Sequence, residues 1–227
     1  MSDSPSAPFR DRTDAGRKLA ERLDSYRNGN VVLAVPRGGI PVGIEIAERL
    51  GANLDVVVVR KIPIRDEPEA GYGAVTEDGV IVLNEPLVSR LGYSRRQIEE
   101  QAERIRREIE RRTAFFRHYL KPVSVEGKTA VLVDDGLASG FTMIAAVESI
   151  RQRQAERIVV AVPTASERAC ELVEPKVDEL ICLTVGHGAC FAVASYYASW
   201  HDLTDEEVAS HLESWQEKRE GYPSEEV

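Results

Sequence analysis

The sequence predicts an α/β protein with an open parallel sheet, helices on both of its faces, and a β-hairpin insertion. Short apolar runs rich in β-branched residues alternate with helical segments along the chain. Two of these runs pass through glycine-rich loops, at residues 36–39 and 134–140, directly into helices. Strands that are apolar throughout are typical of a parallel sheet covered on both faces, so one architecture explains both observations.

The composition fits one globular domain. A chain of 227 residues can bury a full core, and its 43% hydrophobic and 30% charged residues are ordinary for such a protein. We predict a disordered tail over residues 1–10 and a single domain over residues 11–227. Every apolar run is shorter than the roughly 18 residues of a membrane span, and residues 1–12 lack the apolar core of a secretory signal. We therefore expect a cytoplasmic protein without a membrane partner.

Charge and cysteine content narrow the classes of partner. The net charge of −9 argues against a surface that coats nucleic acid. The arginines of residues 104–112 alternate with glutamates, so we interpret them as a solvated helix face. The three cysteines, Cys170, Cys182 and Cys190, match neither a metal motif nor a disulfide framework, and we expect buried thiols.

The first half of the chain begins with a surface helix. Apolar residues recur at helical spacing over residues 11–24, between many charges. Apolar runs predict strands over residues 31–35 and 54–59, with a helix over residues 42–50 between them. Residues 62–74 hold two prolines and two glycines, a composition too irregular for a regular element, so we interpret them as a mobile lid.

The second half repeats the alternation after a hairpin and a long helix. An Asp-Gly turn between β-rich arms predicts the hairpin over residues 75–83. Ser94 and Gln97 form a capping-box pattern at the start of a helix that runs to about Tyr119. Its apolar stripe packs either within the subunit, which we favour, or in the interface of a homodimer. The remaining predicted elements are strands at residues 131–133, 157–162 and 178–185, and helices at residues 144–150, 167–173 and 204–217.

Residues 131–143 form the strongest functional pattern. A buried strand ends in Asp134 and Asp135, continues through a loop with Gly136 and Gly140, and opens into a helix. Glycine backbones approach a ligand closely, and the free N–H groups of a helix N-terminus attract anions. The two carboxylates suit the hydroxyls of a sugar or a hydrated Mg²⁺, and the loop beside them suits a phosphate. Together they suit a sugar phosphate. A plain Asp-Asp-Gly turn is the alternative without a ligand.

This pattern resembles the signature of the type I phosphoribosyltransferases, in which two acids follow a strand and precede a phosphate loop. Ser139 stands where threonine is usual in that family, and it keeps the hydroxyl. The resemblance implies that Asp134 and Asp135 bind the ribose hydroxyls of 5-phosphoribosyl-1-diphosphate and lie beside the cofactor Mg²⁺. The residues that it assigns to the 5-phosphate are Gly136, Leu137, Ala138, Ser139, Gly140 and Thr142.

Two further segments resemble the same family. The Pro-Arg-Gly-Gly loop matches the loop that binds the donor's pyrophosphate, often with a non-proline cis peptide. The resemblance therefore assigns the pyrophosphate to Arg37, Gly38, Gly39 and Lys61, whereas a plain turn with a solvated arginine is the alternative. The charges expected to act in catalysis are those of Arg37, Arg60 and Lys61. The flexible catalytic loop of the family falls at the predicted lid.

Residues 186–203 are rich in aromatic side chains, and we call this segment the hood. It resembles the part of the hypoxanthine and guanine enzymes in which an aromatic ring stacks on the base, so Phe191 is assigned to base binding. Ala138 and Ala198 stand where those enzymes have acids. A purine-like base is therefore the favoured class of acceptor, without a specific identity.

The favoured function is the transfer of the 5-phosphoribosyl group to a nitrogen of a base, with release of pyrophosphate, by a Mg²⁺-dependent pentosyltransferase. The expected partners are these small molecules, with no nucleic acid. The alternative is a regulatory protein that binds the donor or a nucleotide without turnover.

Overall fold

The computed structural model describes residues 7–27, 29–65, 67–188 and 190–220. Its strands are β1 (Val31–Ala34), β2 (Asn53–Val56), β3 (Val59–Ile64), β4 (Glu67–Thr76), β5 (Ile81–Leu83), β6 (Thr129–Val133), β7 (Arg157–Ser166) and β8 (Glu179–Gly186). Its α-helices are α1 (Arg12–Glu21), α2 (Gly39–Leu50), α3 (Glu85–Leu91), α4 (Arg95–Phe116), α5 (Phe141–Gln152), α6 (Glu167–Val173) and α7 (Asp205–Glu220).

The main sheet confirms the predicted fold class. Its five strands are all parallel and follow the order β2-β1-β6-β7-β8. Side chains of α1, α2 and α7 belong to the core on one face, and those of α5 and α6 belong to the core on the other. Because both faces are covered, the central strands are apolar throughout, as the sequence indicates.

A second sheet replaces the irregular segment that the sequence suggested. Strands β3, β4 and β5 pair in an antiparallel manner, so the prediction that residues 62–74 form no regular element is wrong for the described residues. The action of this segment as a mobile lid stays a prediction. Glycines permit this pairing, because a β-carbon at Gly73 would lie 2.5 Å from the carbonyl oxygen of Val82. The predicted strand over residues 54–59 is also divided. Its first part, β2, ends in the main sheet at Val56, and β3 begins in the second sheet at Val59.

The predicted hairpin and long helix are confirmed, with shifted boundaries. The Thr76 N–H donates to the Val80 oxygen at 3.0 Å and Gly79 has a φ of +86°, which closes the turn between β4 and β5. Ser94 and Gln97 form the predicted capping box of α4. The stripe of this helix is buried within the subunit, as we favoured, at Ile98, Ala102, Ile105, Ile109 and Phe116.

The first described residues of the domain contact the hood. Phe9 is buried, and its N–H donates to the Tyr196 oxygen at 3.1 Å, while its own oxygen accepts from the Ala198 N–H at 2.8 Å. The predicted tail over residues 1–10 therefore extends too far, because residues 7–10 are part of the folded domain; residues 1–6 lie outside the described residues. The final helix begins as predicted, with the Glu207 N–H donating to Thr204 Oγ1 at 3.2 Å.

Some expectations about exposure were wrong. Arg106 and Arg112 are half-buried, although the arginine run suggested a solvated face. Among the cysteines, Cys190 is exposed rather than buried. Within the described part of the chain, no helix has the length and the apolar composition needed to cross a membrane.

Candidate active site

Two loops meet at the carboxyl edge of the main sheet. The β1 loop (residues 35–38) and the β6 loop (residues 134–140) are neighbours because β1 pairs directly with β6. The Val35 N–H donates to the Val133 oxygen at 2.8 Å, and a β-carbon at Gly39 would lie 2.7 Å from the same oxygen. The two loops with the strongest functional patterns thus form one site, at the edge where open α/β sheets bind ligands.

The glycines of the β1 loop make room for the acid pair. A β-carbon at Gly38 would overlap the carboxylate of Asp135, so only glycine fits there without displacing that acid. The peptide bond between Pro36 and Arg37 is cis, as the resemblance implies for this loop. The two segments that the resemblance assigns to one donor are therefore in contact in the fold.

Arg12 holds Asp135 in place. Its Nε donates to Asp135 Oδ2 at 2.7 Å, and another guanidinium N–H donates to the His201 oxygen at 2.9 Å. The guanidinium also lies over the Trp200 ring, with Cζ 3.8 Å from the ring centroid. Only 8% of the Arg12 side chain and 14% of the Asp135 side chain are exposed, so this is a nearly buried ion pair. Tyr197 adds a hydroxyl that donates to the Asp135 backbone oxygen at 2.6 Å.

Sequence reasoning missed Arg12. It is the first residue of α1, in a charged surface helix, and no motif marks it. It is also separated from Asp135 by 123 positions along the chain. Only the folded arrangement of α1, the β6 loop and the hood brings these groups together.

The acid pair has an uneven electrostatic environment. Burial raises the pKa of both the Asp134 and Asp135 carboxyl groups. The charge of Asp135 raises the pKa of Asp134 further, whereas Arg12 opposes the rise at Asp135. Asp134 Oδ1 accepts the Asp135 N–H at 2.8 Å, but Asp134 forms no ion pair with a described residue. Asp134 is therefore the acid with unused capacity to bind a hydroxyl or a cation.

The β6 loop is anchored on one side and open on the other. Leu137 is buried and pairs with β7, donating to the Thr164 oxygen and accepting from the Ser166 N–H, both at 2.9 Å. Ala138 and Ser139 are exposed, and Gly140 has a φ of +80°. No side chain caps the N-terminus of α5, where Thr142 lies in the first turn. Amides in this position can bind an anion, and Leu137 can contribute only its backbone.

The predicted cations lie in different places. Arg37 Nη1 is 3.4 Å from Asp205 Oδ1, and Arg60 Nη2 is 3.2 Å from Glu108 Oε2. Lys61 follows Arg60 in β3, so its side chain is on the opposite face of the small sheet. The structure thus brings Arg37 and Arg60 toward the same side, next to α4 and α7, and separates Lys61 from them.

The hood reaches the β6 loop. A β-carbon at Gly136 would lie 2.6 Å from a methyl group of Val193, so the two segments are in close contact. Phe191 is half-buried and packs beside Tyr196, with the ring centroids 5.3 Å apart. Its ring also lies against Gly186 at the end of β8. The predicted base-binding residue is therefore at the correct edge of the sheet, and its role stays a prediction.

The acid pair suits a magnesium ion that is bound jointly by the protein and a phosphate substrate, rather than one bound only by protein side chains. Among the described residues, no group of three or more His, Cys, Asp or Glu side chains is arranged to hold a metal. Asp135 is already paired with Arg12, which leaves Asp134 as the free carboxylate. Mg²⁺ commonly binds through one or two carboxylates and completes its shell with water and substrate phosphates. The residues present fit a Mg²⁺ of that kind.

Comparison with known proteins agrees with this geometry. A family model described as the phosphoribosyl transferase domain matches residues 10–196. Two proteins of Mycobacterium tuberculosis, from strains CDC 1551 and H37Rv and provisionally named phosphoribosyl transferases, are each 39% identical over 208 residues. The match covers 90% of this chain and 46% of either relative, so the chain spans about half the length of these proteins.

One solved structure has a similar fold over nearly the whole length of both chains. The crystal structure of the protein TT1426 from Thermus thermophilus is 39% identical, with a TM-score of 0.76. The match covers 91% of this chain and 98% of that one. By sequence and by fold, the chain belongs to the phosphoribosyl transferase domain family.

Proposed function

We propose that the protein transfers the 5-phosphoribosyl group from 5-phosphoribosyl-1-diphosphate to a nitrogen of a base and releases pyrophosphate. The observation that carries this proposal is the contact between the two loops, in which Gly38 touches the carboxylate of Asp135. In this contact, the glycine loop proposed for the diphosphate lies next to the two acids proposed for the ribose hydroxyls. The chain belongs to the phosphoribosyl transferase domain family, whose name describes the proposed reaction.

The donor would bind with its ribose between the acids and the β6 loop. Asp134 and Asp135 accept hydrogen bonds from the two ribose hydroxyls, and Arg12 fixes the orientation of Asp135 and favours its ionised form. The 5-phosphate lies at the exposed part of the β6 loop and the α5 N-terminus. The diphosphate lies at the β1 loop, beside Arg37.

In the reaction, the bond between the anomeric carbon and the diphosphate oxygen breaks, and the diphosphate leaves with the electron pair. The base nitrogen forms the new bond to the anomeric carbon. Its proton, where it has one, passes to a general base, a role that we assign to none of the described residues. Arg37 and the loop amides stabilise the negative charge that develops on the leaving oxygens. Mg²⁺ beside the acid pair, held by Asp134 together with the donor because Asp135 is paired with Arg12, would neutralise part of the diphosphate charge.

A purine-like base is the acceptor that the hood favours. Phe191 and the neighbouring Tyr196 lie at the edge of the site, and flat heterocycles stack on aromatic rings. Ala138 and Ala198 leave the site without the acids that the oxopurine enzymes carry.

Incubation with donor, Mg²⁺ and a panel of purine and pyrimidine bases tests the proposal, with released pyrophosphate as the readout. Release with at least one base is expected, and the combined variant Arg37→Gln, Arg60→Gln should lower the rate at least tenfold. Arg95→Gln, an exposed arginine of α4, is the matched control and should behave as the wild type. Tight donor binding without release with any base would instead establish a regulatory protein.

A further inference from the structure

A cavity outside the two loops of the candidate active site lies near the β1 loop, between α4, β3 and the start of α7. Its volume is about 370 Å³. We call it the arginine pocket, and its lining includes Arg60, Glu108, Arg111, Arg112, Phe115 and Asp205. The Arg37 side chain reaches its rim, because Arg37 pairs with Asp205 at 3.4 Å.

The charges of this pocket do not balance. Each of its two acids already has a cation, since Glu108 pairs with Arg60 at 3.2 Å and Asp205 pairs with Arg37. Arg111 and Arg112 remain, and neither forms an ion pair with a described residue. A surplus of positive charge in a concave site of a chain with a net charge of −9 is a local feature that attracts anions.

Arg112 is the residue that most needs a partner. It is half-buried, and it forms neither a hydrogen bond nor an ion pair with a described residue. Burial lowers the pKa of its guanidinium, and the charges of Arg60 and Arg37 lower it further, against the opposing effect of Asp205 and Glu108. A cation that is removed from water among like charges is costly unless an anion accompanies it.

The chemistry of the walls indicates what kind of anion fits. Guanidinium groups bind phosphate oxygens through two parallel hydrogen bonds, and several arginines together suit a doubly charged phosphate. Phe115 forms an apolar wall, which limits competing water. Arg37 of the β1 loop, where the proposed function places the diphosphate, contacts the pocket through its pair with Asp205.

We propose that the arginine pocket binds the outer phosphate of the donor's diphosphate and of the released pyrophosphate, with Arg112 as an additional binding residue. This inference rests on the proposed function for the identity of the donor, but the pocket's affinity for pyrophosphate can be measured alone. It assigns a role to a helix, α4, that lies outside the two loops of the family's signature.

Calorimetry with magnesium pyrophosphate and, separately, with ribose 5-phosphate tests the proposal on the full chain. Arg112→Gln should weaken pyrophosphate binding at least tenfold and leave ribose 5-phosphate binding unchanged. Arg112→Lys, which keeps the charge and loses the planar group, should give an intermediate loss. Arg107→Gln is the matched control, because Arg107 is an exposed arginine of the same helix. Circular dichroism verifies that each variant is folded.

The outcomes separate this inference from the proposed function. Wild-type pyrophosphate affinity in folded Arg112→Gln overturns the assignment of the pocket, even if ribose 5-phosphate binds and the transferase proposal stands. Loss of pyrophosphate binding in Arg112→Gln supports the pocket, even if no base supports turnover. Pyrophosphate that still binds through Arg112 when saturating donor is present would show a separate effector site and would overturn the link to the donor.

Discussion

Arg12 is the residue that connects the acid pair to the rest of the molecule. Its guanidinium contacts Asp135, the His201 oxygen and the Trp200 ring, and it is almost completely buried. Because burial raises the pKa of the Asp135 carboxyl, the nearby positive charge is what favours the ionised acid. Removing one partner of a buried ion pair leaves the other charge uncompensated.

We predict that Arg12→Met lowers the free energy of unfolding by about 3 kcal/mol, the cost typical of breaking a buried pair. Donor affinity should also fall, since Asp135 loses both its orientation and its charge. Arg17→Gln is the control, because Arg17 lies in the same helix as Arg12 and also pairs with a carboxylate, that of Glu45 in α2, but its own side chain is 61% exposed. Urea unfolding and donor calorimetry measure the two effects, and equal losses in both variants would argue against a special role for Arg12.

Asp134 gives a prediction about pH. Its folded-state pKa is raised above the unfolded value of 3.8 by burial and by Asp135, so the native state holds the proton more tightly. Its contribution to stability is complete below about pH 4 and is lost as the pH rises through the folded pKa.

Asp134→Asn removes this pH dependence while keeping an oxygen that can accept the Asp135 N–H. The variant should therefore be more stable than the wild type at pH 7 and nearly equal to it at pH 4. Denaturant titrations at several pH values in metal-free buffer measure the difference. A difference that stays constant with pH would refute the explanation.

At the level of single residues, the sequence could identify groups that lie within a motif. Asp134, Asp135 and Gly38 belong to short loops whose chemistry is local, and the structure brings these three together. Arg12 and Arg112 were missed because their importance comes from distant neighbours and from partial burial. A charged helix pattern predicts solvation on average and cannot show which arginine faces a cavity.

Among the structural elements, the β1 loop depends most strictly on glycine. The position of Gly38 directly against the Asp135 carboxylate means that even a methyl group must displace the acid or move the loop. The cost should therefore appear in ligand binding more than in folding.

Gly38→Ala should reduce donor affinity at least tenfold, which corresponds to about 1.4 kcal/mol of binding free energy. Gly51→Ala provides the comparison, because Gly51 has a φ of +63° with open space around it and lies far from the loops. That variant should lose about 1 kcal/mol of stability through backbone strain and keep its donor affinity. Thermal unfolding and calorimetry distinguish the two, and normal donor binding by Gly38→Ala would be incompatible with the proposed site.

Beyond the hairpin between β4 and β5, the second sheet of β3, β4 and β5 could not be predicted from the sequence. Residues 54–59 are apolar except for Asp55, and both halves are buried, so hydrophobicity gave no sign that the chain changes sheets after Val56. Prolines and glycines in residues 62–74 suggested a loop, yet glycine here permits close strand pairing and the pairing shifts register at Pro63. Composition alone cannot separate these two uses of the same residues.

In the whole molecule, the N-terminal segment fastens the hood. Phe9 pairs with Tyr197 as a short parallel bridge, with the two rings 5.5 Å apart, and the Ser199 N–H donates to the Arg10 oxygen at 2.8 Å. The hood in turn packs on the β6 loop through Val193. Residues 9–10 and the hood thus support the same edge of the sheet that carries the site.

Phe9→Ala should lower the free energy of unfolding by about 3–5 kcal/mol, as expected for removing a buried aromatic ring. Phe9→Leu should lose much less, because most of the buried volume remains. The midpoint of chemical unfolding measures both changes. Similar stabilities of Phe9→Ala and the wild type would show that the segment is not held as described.

The overall architecture was the most predictable feature. Alternation of buried strands and helices specifies a parallel sheet, and the loops that follow β1 and β6 meet because these strands are neighbours. The contacts between segments distant in sequence, such as α1 with the hood, were not predictable, since local patterns carry no information about them.

Calorimetric titration of 5-phosphoribosyl-1-diphosphate into the wild type and into Asp134→Asn, Asp135→Asn, with Mg²⁺ present, tests the central claim most directly. The wild type should bind the donor, and the double variant should lose at least a hundredfold in affinity while its circular dichroism spectrum stays unchanged. The single variant Asp134→Asn, which leaves the Arg12 pair intact, should show a smaller loss. Donor affinity that is the same in all three folded proteins would contradict the account.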